Sequence, residues 1–120
     1  KALTAAESLK PRPDFILTGG DLVFDVMETG EARARELFRL YKRVIADNTS
    51  LPVHNTIGNH DVFGWTTREG VTPQTPGYGR ELVKDMLEMK ETYHVFEHKG
   101  WRFFSLDNIQ RGDDGPYQGY

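Results

Sequence analysis

The chain has 120 residues, 38% hydrophobic and 28% charged, which places it among folded globular sequences with room for one core rather than two. A formal net charge of -3 supplies no basic stripe, so nucleic acid is not expected as the main partner. Zero cysteines exclude a disulfide framework and a thiolate metal site, and no apolar run approaches the roughly 20 residues that span a bilayer. The start, Lys1-Ala2-Leu3-Thr4-Ala5-Ala6, carries no signal-peptide pattern, and the lack of an initial Met suggests a chain that begins within a longer protein. Both cytoplasmic and exported locations stay open.

Residues 2 to 9 read as the last turns of a helix stopped by Pro11 and Pro13, whose rings exclude further helix. Phe15 to Thr18 follows as a short buried strand, which delivers Gly19-Gly20-Asp21 at its end. From Glu31, apolar residues Ala34, Leu37, Phe38, Tyr41, Val44 and Ile45 recur at three- and four-residue spacing and predict the most secure helix. Its charged residues Arg33, Arg35, Arg39, Lys42 and Arg43, with Glu31 and Glu36, read as a solvated face. Asp47 to Ser50 is turn chemistry, after which Leu51 to Ile57 predicts a second apolar strand that ends at Gly58-Asn59-His60-Asp61. Strands alternating with helices predict a parallel α/β arrangement.

Residues 63–79, rich in Gly, Thr, Pro and aromatics, form a lid-like loop, whose Trp65 and Tyr78, with Arg80 just beyond, serve either a substrate pocket or loop packing. A helix is expected from about Arg80 to Lys90, and Tyr93–Phe96 and Trp101–Leu106 predict a β-hairpin ending at Asp107-Asn108. Residues 110–120 carry no apolar period.

Two polar clusters at strand ends can converge, because in open parallel sheets ligands bind at the carboxyl ends of the strands. A carboxylate can bridge two cations, a side-chain amide oxygen is a hard neutral ligand, and an imidazole held by a carboxylate can donate a proton. Around divalent ions such groups can supply what phosphate-ester hydrolysis needs: charge neutralisation, a deprotonated water and a proton for the leaving oxygen. Plain alternatives exist at each position. Gly-Asp recurs in ordinary turns, and Asn-His after Gly is also turn chemistry. His54 reads as a buried, hydrogen-bonded histidine and His94 and His98 as packing or surface residues. Asp25 serves either the environment of the site or a turn cap, and Asp107 and Asn108 either border the site or start a turn.

With Gly20-Asp21 and Gly58-Asn59-His60-Asp61 in view, the chain resembles the calcineurin-like metallophosphoesterase superfamily. The hairpin ending in Leu106-Asp107-Asn108 is similar to the family's as well. The resemblance implies an α/β fold, a partial metallophosphoesterase-type sandwich of parallel strands with flanking helices plus a β-hairpin, occupied by residues 1–120 as a single partial domain. It implies metal-dependent hydrolysis of phosphoric esters, as a phosphomonoesterase or phosphodiesterase, around two divalent ions of manganese, iron or zinc. Asp21 would bridge the metals, Asn59 would bind one of them, His60 would contact the phosphoryl or leaving-group oxygen, and Asp61 would orient His60. The family's DxH, lone His and GHxH motifs are absent from this sequence. The activity is therefore expected of a parent protein. The alternative is a non-catalytic fragment or binding module that retains the fold without a complete dimetal site. Uncovered sheet edges would then favour self-association.

Overall fold

The computed structural model describes residues 1–65, 70–111 and 117–118; positions 66–69 of the predicted loop and 112–116, 119 and 120 of the tail lie outside the described residues. In chain order the elements are α1 (Ala2–Glu7), β1 (Ile16–Leu17), α2 (Glu31–Asn48), β2 (Val53–His54), α3 (Glu81–Leu87), β3 (His94–His98), β4 (Trp101–Ser105), β5 (Gln110–Arg111) and β6 (Tyr117–Gln118). Helices and strands are mixed, with a parallel pair β1–β2 and an antiparallel hairpin β3–β4, as the α/β expectation requires.

The parallel pair is shorter than its apolar runs suggest. Ile16 pairs with Val53 and Leu17 with His54, held by Ile16 N–H to Pro52 O at 2.8 Å and Thr18 N–H to His54 O at 3.1 Å. Pro52 has no N–H, which closes the ladder at one end. At the other, the Thr56 N–H turns to the Thr18 hydroxyl at 3.0 Å. β1 is also less buried than predicted, since Leu17 is exposed.

Helix α2 follows its predicted period. Glu31 opens its first turn, where a carboxylate meets the positive end of the helix dipole, and Ala34 and Phe38, four apart, are fully buried. The predicted turn begins two residues late, because the helix runs through Asn48. Across the groove, α3 packs on α2, tied by Arg35 to Asp85 at 3.0 Å and Lys42 to Glu88 at 2.7 Å. The basic residues of α2 that make these pairs are thus engaged with carboxylates. α3 ends at Leu87, earlier than predicted, where Glu88 takes a left-handed φ of 57°. The core joins Val26, Phe38, Ile57, Val62, Phe63, Val71, Tyr78, Leu82 and Val83. Full burial of a side chain such as Phe38 stabilises by about 3 kcal/mol.

The predicted lid is fastened to this core. Phe63 and Gly79 exchange backbone hydrogen bonds of 3.1 and 2.7 Å, and Val71 and Tyr78 are buried. The hairpin turns at Lys99 and Gly100, both at positive φ (48° and 83°), the geometry that lets a two-residue turn follow the twist of its strands. Its inner face stacks on β1–β2: the Phe96 ring lies 3.5 Å from His54 and 4.8 Å from Phe103, and Phe15 meets both phenylalanines edge-on. His54 is therefore held by ring stacking, and among the described residues its imidazole makes no hydrogen bond. Burial, then the neighbouring His94, lowers its pKa. The outer hairpin face leaves Tyr93, Val95, Phe104 and Leu106 exposed. The tail differs from expectation, for β5 and β6 pair antiparallel, Gln110 with Gln118 and Arg111 with Tyr117.

Candidate active site

The ends of β1 and β2 lead into two turns that cross at glycines. Gly20 has φ 91°, and a Cβ built there would come within 2.8 Å of the Gly58 nitrogen. A Cβ on Gly58 would come within 2.1 Å of Asp21 Oδ1 and 2.5 Å of the Asp21 nitrogen. Only glycine at both positions allows the backbones to approach this closely. Asp21 itself adopts φ 48°, a left-handed conformation that aspartate tolerates better than most residues.

After Gly58, residues Asn59–Asp61 form a single 3-10 turn, with Asp61 N–H to Gly58 O at 3.2 Å and Val62 N–H to Asn59 O at 3.1 Å. The loop from Asp21 to Met27 wraps this turn. Asp21 Oδ1 accepts the His60 N–H at 3.2 Å, and the Val26 N–H donates to His60 O at 3.0 Å. The Asn59 side-chain N–H donates to Met27 Sδ at 3.5 Å. That bond spends the nitrogen of the Asn59 amide and leaves its oxygen for a ligand. Asp21, Asn59 and His60, predicted from separate stretches of sequence, therefore lie together.

The role expected of Asp61 does not fit its geometry. Its side chain is completely buried and accepts three backbone N–H groups, from Gly58 at 2.9 Å, Leu22 at 3.1 Å and Val23 at 3.2 Å. Burial pushes this carboxyl above the ordinary aspartate value; the three N–H bonds pull it back, and the nearby Asp21 charge adds to the rise. Its oxygens are engaged by the two turns and not by His60. The carboxylate beside the imidazole is Asp25, whose Oδ1 lies 3.7 Å from His60 Nδ1 and accepts the Met27 N–H at 2.7 Å. Asp25 thus caps its own loop and faces the histidine without a hydrogen bond to it. His60 Nδ1 is buried without a hydrogen-bond partner, so a small approach by Asp25 would satisfy it.

Asp107 is engaged by other partners than this cluster. Asp107 accepts from Arg80 at 2.5 and 3.1 Å, from the Thr92 hydroxyl and from the Ile109 N–H, while Arg80 also donates to Ile109 O. Burial alone would raise the Asp107 carboxyl, but Arg80 and the other donors hold it below its usual value. The arrangement is a latch between the start of α3 and the end of β4.

Oxygen donors such as Asp21 and Asn59 suit divalent cations. Such ions take about four to six donors, so these two account for part of a ligand set. Among the described residues no three His, Cys, Asp or Glu side chains converge on a common point. No helix among the described residues is long and apolar enough to cross a membrane.

A family model described as calcineurin-like phosphoesterase matches residues 1–119. No curated protein and no solved structure matches the chain significantly.

Proposed function

Because the chain belongs to the calcineurin-like phosphoesterase family, we propose that it serves metal-dependent hydrolysis of phosphoric esters, with Asp21 and Asn59 as metal ligands and His60 at the phosphoryl group. The observation that carries this reading is the crossing of the two glycine turns, which sets the Asp21 carboxylate against the His60 amide and frees the Asn59 oxygen. Two divalent ions, when bound, would neutralise phosphoryl charge and lower the pKa of a water molecule.

The chain's own groups do the rest. Asp21 and Asn59 present neighbouring oxygens from turns that glycine packing keeps rigid. His60, with Nδ1 directed toward Asp25, offers Nε2 to the phosphoryl or departing oxygen, to which it gives a hydrogen bond or a proton. Asp25 orients that ring, a task the resemblance had assigned to Asp61. Since this sequence lacks DxH and GHxH, the remaining ligands and the catalytic activity belong to a parent protein in this reading.

The full-length protein provides the test. Asp21→Asn and His60→Ala should each lower turnover of p-nitrophenyl phosphate or its bis-ester by orders of magnitude with the circular dichroism spectrum unchanged. Near-normal rates in either variant would refute the assignment. A second reading, a binding module that keeps the fold without a complete dimetal site, is favoured by the two-ligand count among the described residues. Stoichiometric manganese, zinc or iron retained through dialysis would exclude it.

A further inference from the structure

The turns that carry Asp21 and Asn59 come from different strands, and one side chain fastens them together. Asp61 Oδ2 accepts from the Gly58 N–H at 2.9 Å and the Leu22 N–H at 3.1 Å, and Oδ1 accepts from the Val23 N–H at 3.2 Å. Leu22 directly follows one candidate ligand and Gly58 directly precedes the other. The bridge therefore spans the gap between the two ligand-bearing residues through a minimum of intervening backbone.

A purely space-filling role explains this poorly. A fully buried carboxylate without a cation costs more than an apolar side chain of similar size, and among the described residues no Lys or Arg pairs with it. What a carboxylate supplies here and an apolar group cannot is acceptance of three loop amides that lie outside every helix and sheet ladder. The surroundings also leave no slack, since the space above Gly58 is filled by Asp21 to 2.1 Å. A small relaxation of the bridge would pass directly into the position of the Asp21 carboxylate.

We propose that Asp61 is a positioning residue that sets the spacing between the Asp21 carboxylate and the Asn59 amide, and so governs how tightly the site holds a divalent cation. The proposal rests on the phosphoesterase reading of Asp21 and Asn59. Asp61 touches neither substrate nor metal in it, and it acts on the ligands through the backbone amides on either side of them.

Asp61→Asn tests this in the full-length protein, because an amide retains one acceptor oxygen and turns an N–H toward a backbone N–H. Titrated with manganese by calorimetry, the variant should bind about 10- to 100-fold more weakly than the wild type, and kcat should fall with little change in KM. Val83→Ala, a core truncation away from the turns, serves as the control for lost stability and should keep manganese affinity. Hydrogen exchange of the wild-type amides decides the matter even if Asp61→Asn fails to fold: Leu22, Val23 and Gly58 should exchange far more slowly than the amide of exposed Gly19. Unchanged manganese affinity in Asp61→Asn, an equal affinity loss in Val83→Ala, or fast exchange at Leu22 and Val23 would overturn the proposal. Absence of manganese binding by the wild type would instead count against the phosphoesterase reading, and the exchange rates would still judge the bridge.

Discussion

Two buried aspartates close two junctions of this molecule by opposite means. Asp107 joins β4 to α3 through the guanidinium of Arg80, the Thr92 hydroxyl and the Ile109 amide, and its carboxyl is held below the usual aspartate range despite burial. Asp61 joins the two glycine turns through backbone amides alone, and burial leaves its carboxyl above that range. A cation makes the first junction electrostatically self-sufficient. The second is held by backbone amides without a cation among the described residues and lies near a second carboxylate, Asp21. The first junction is thus closed by charge and the second by backbone dipoles.

The comparison breaks most sharply at Gly58. Alanine there places a methyl group within 2.1 Å of Asp21 Oδ1 and 2.5 Å of the Asp21 nitrogen, and backbone yields less easily than a side-chain tip. Gly58→Ala should cost about 3 kcal/mol of stability by urea unfolding, because overpacking of this kind forces backbone shifts. A loss below half of that would mean the turns have freedom that the glycine crossing denies them.

At the latch the expected loss is smaller. Arg80→Met keeps the packing of the long side chain and strips the cation from Asp107, whose side chain is 6% exposed against 25% for Arg80. Thr92 and Ile109 continue to donate, so the cost should be about 2 kcal/mol, under the range for breaking a fully buried ion pair. The Arg80→Met loss should shrink as pH falls below the ordinary aspartate value toward the depressed one of folded Asp107, because protonated Asp107 no longer needs the cation. A pH-independent loss would show that Arg80 acts by packing alone.

Much of the turn region could be read from residue order. Gly20-Asp21 and Gly58-Asn59-His60-Asp61 each follow an apolar run, and strand ends of a parallel pair must lie side by side, so their proximity follows from α/β topology. The partner of Asp61 could not be read, because backbone amides are the same at every residue and leave no letter in the sequence. Asp25 was ambiguous for a related reason: its distance to His60 depends on how the loop from Asp21 to Met27 wraps the turn. Capping its own loop does not keep its carboxylate from facing the histidine. Arg80 and Asp107 are 27 positions apart and meet only once the hairpin and α3 have docked. Apolar runs also overstate strands, since Leu51 to Ile57 contributes only Val53 and His54 to the ladder.

Glu7 gives the smallest effect and a useful control, because it gathers several donors on a carboxylate that is only partly buried. Its Oε1 accepts from the Ser50 N–H at 2.7 Å, the Thr49 hydroxyl at 2.9 Å, the Ser50 hydroxyl at 3.1 Å and Arg12 at 3.1 Å, and so ties α1 to the end of α2. Here the donors dominate, Ser50 N–H first and Thr49 next, and the pKa falls from 4.5 to about 2. A pKa depressed by folding stabilises the native state in full above the unfolded value, and that contribution is lost as pH falls toward the folded one. The stability difference between wild type and Glu7→Gln should therefore be constant above pH 4.5 and vanish as pH approaches about 2. Hydrogen exchange in α1 should report the same loss of docking, while the amides of Leu22 and Val23 remain protected through that window. Simultaneous loss of protection at both places would mean that α1 and the glycine turns open as one unit, and that solvation does not distinguish the two carboxylates.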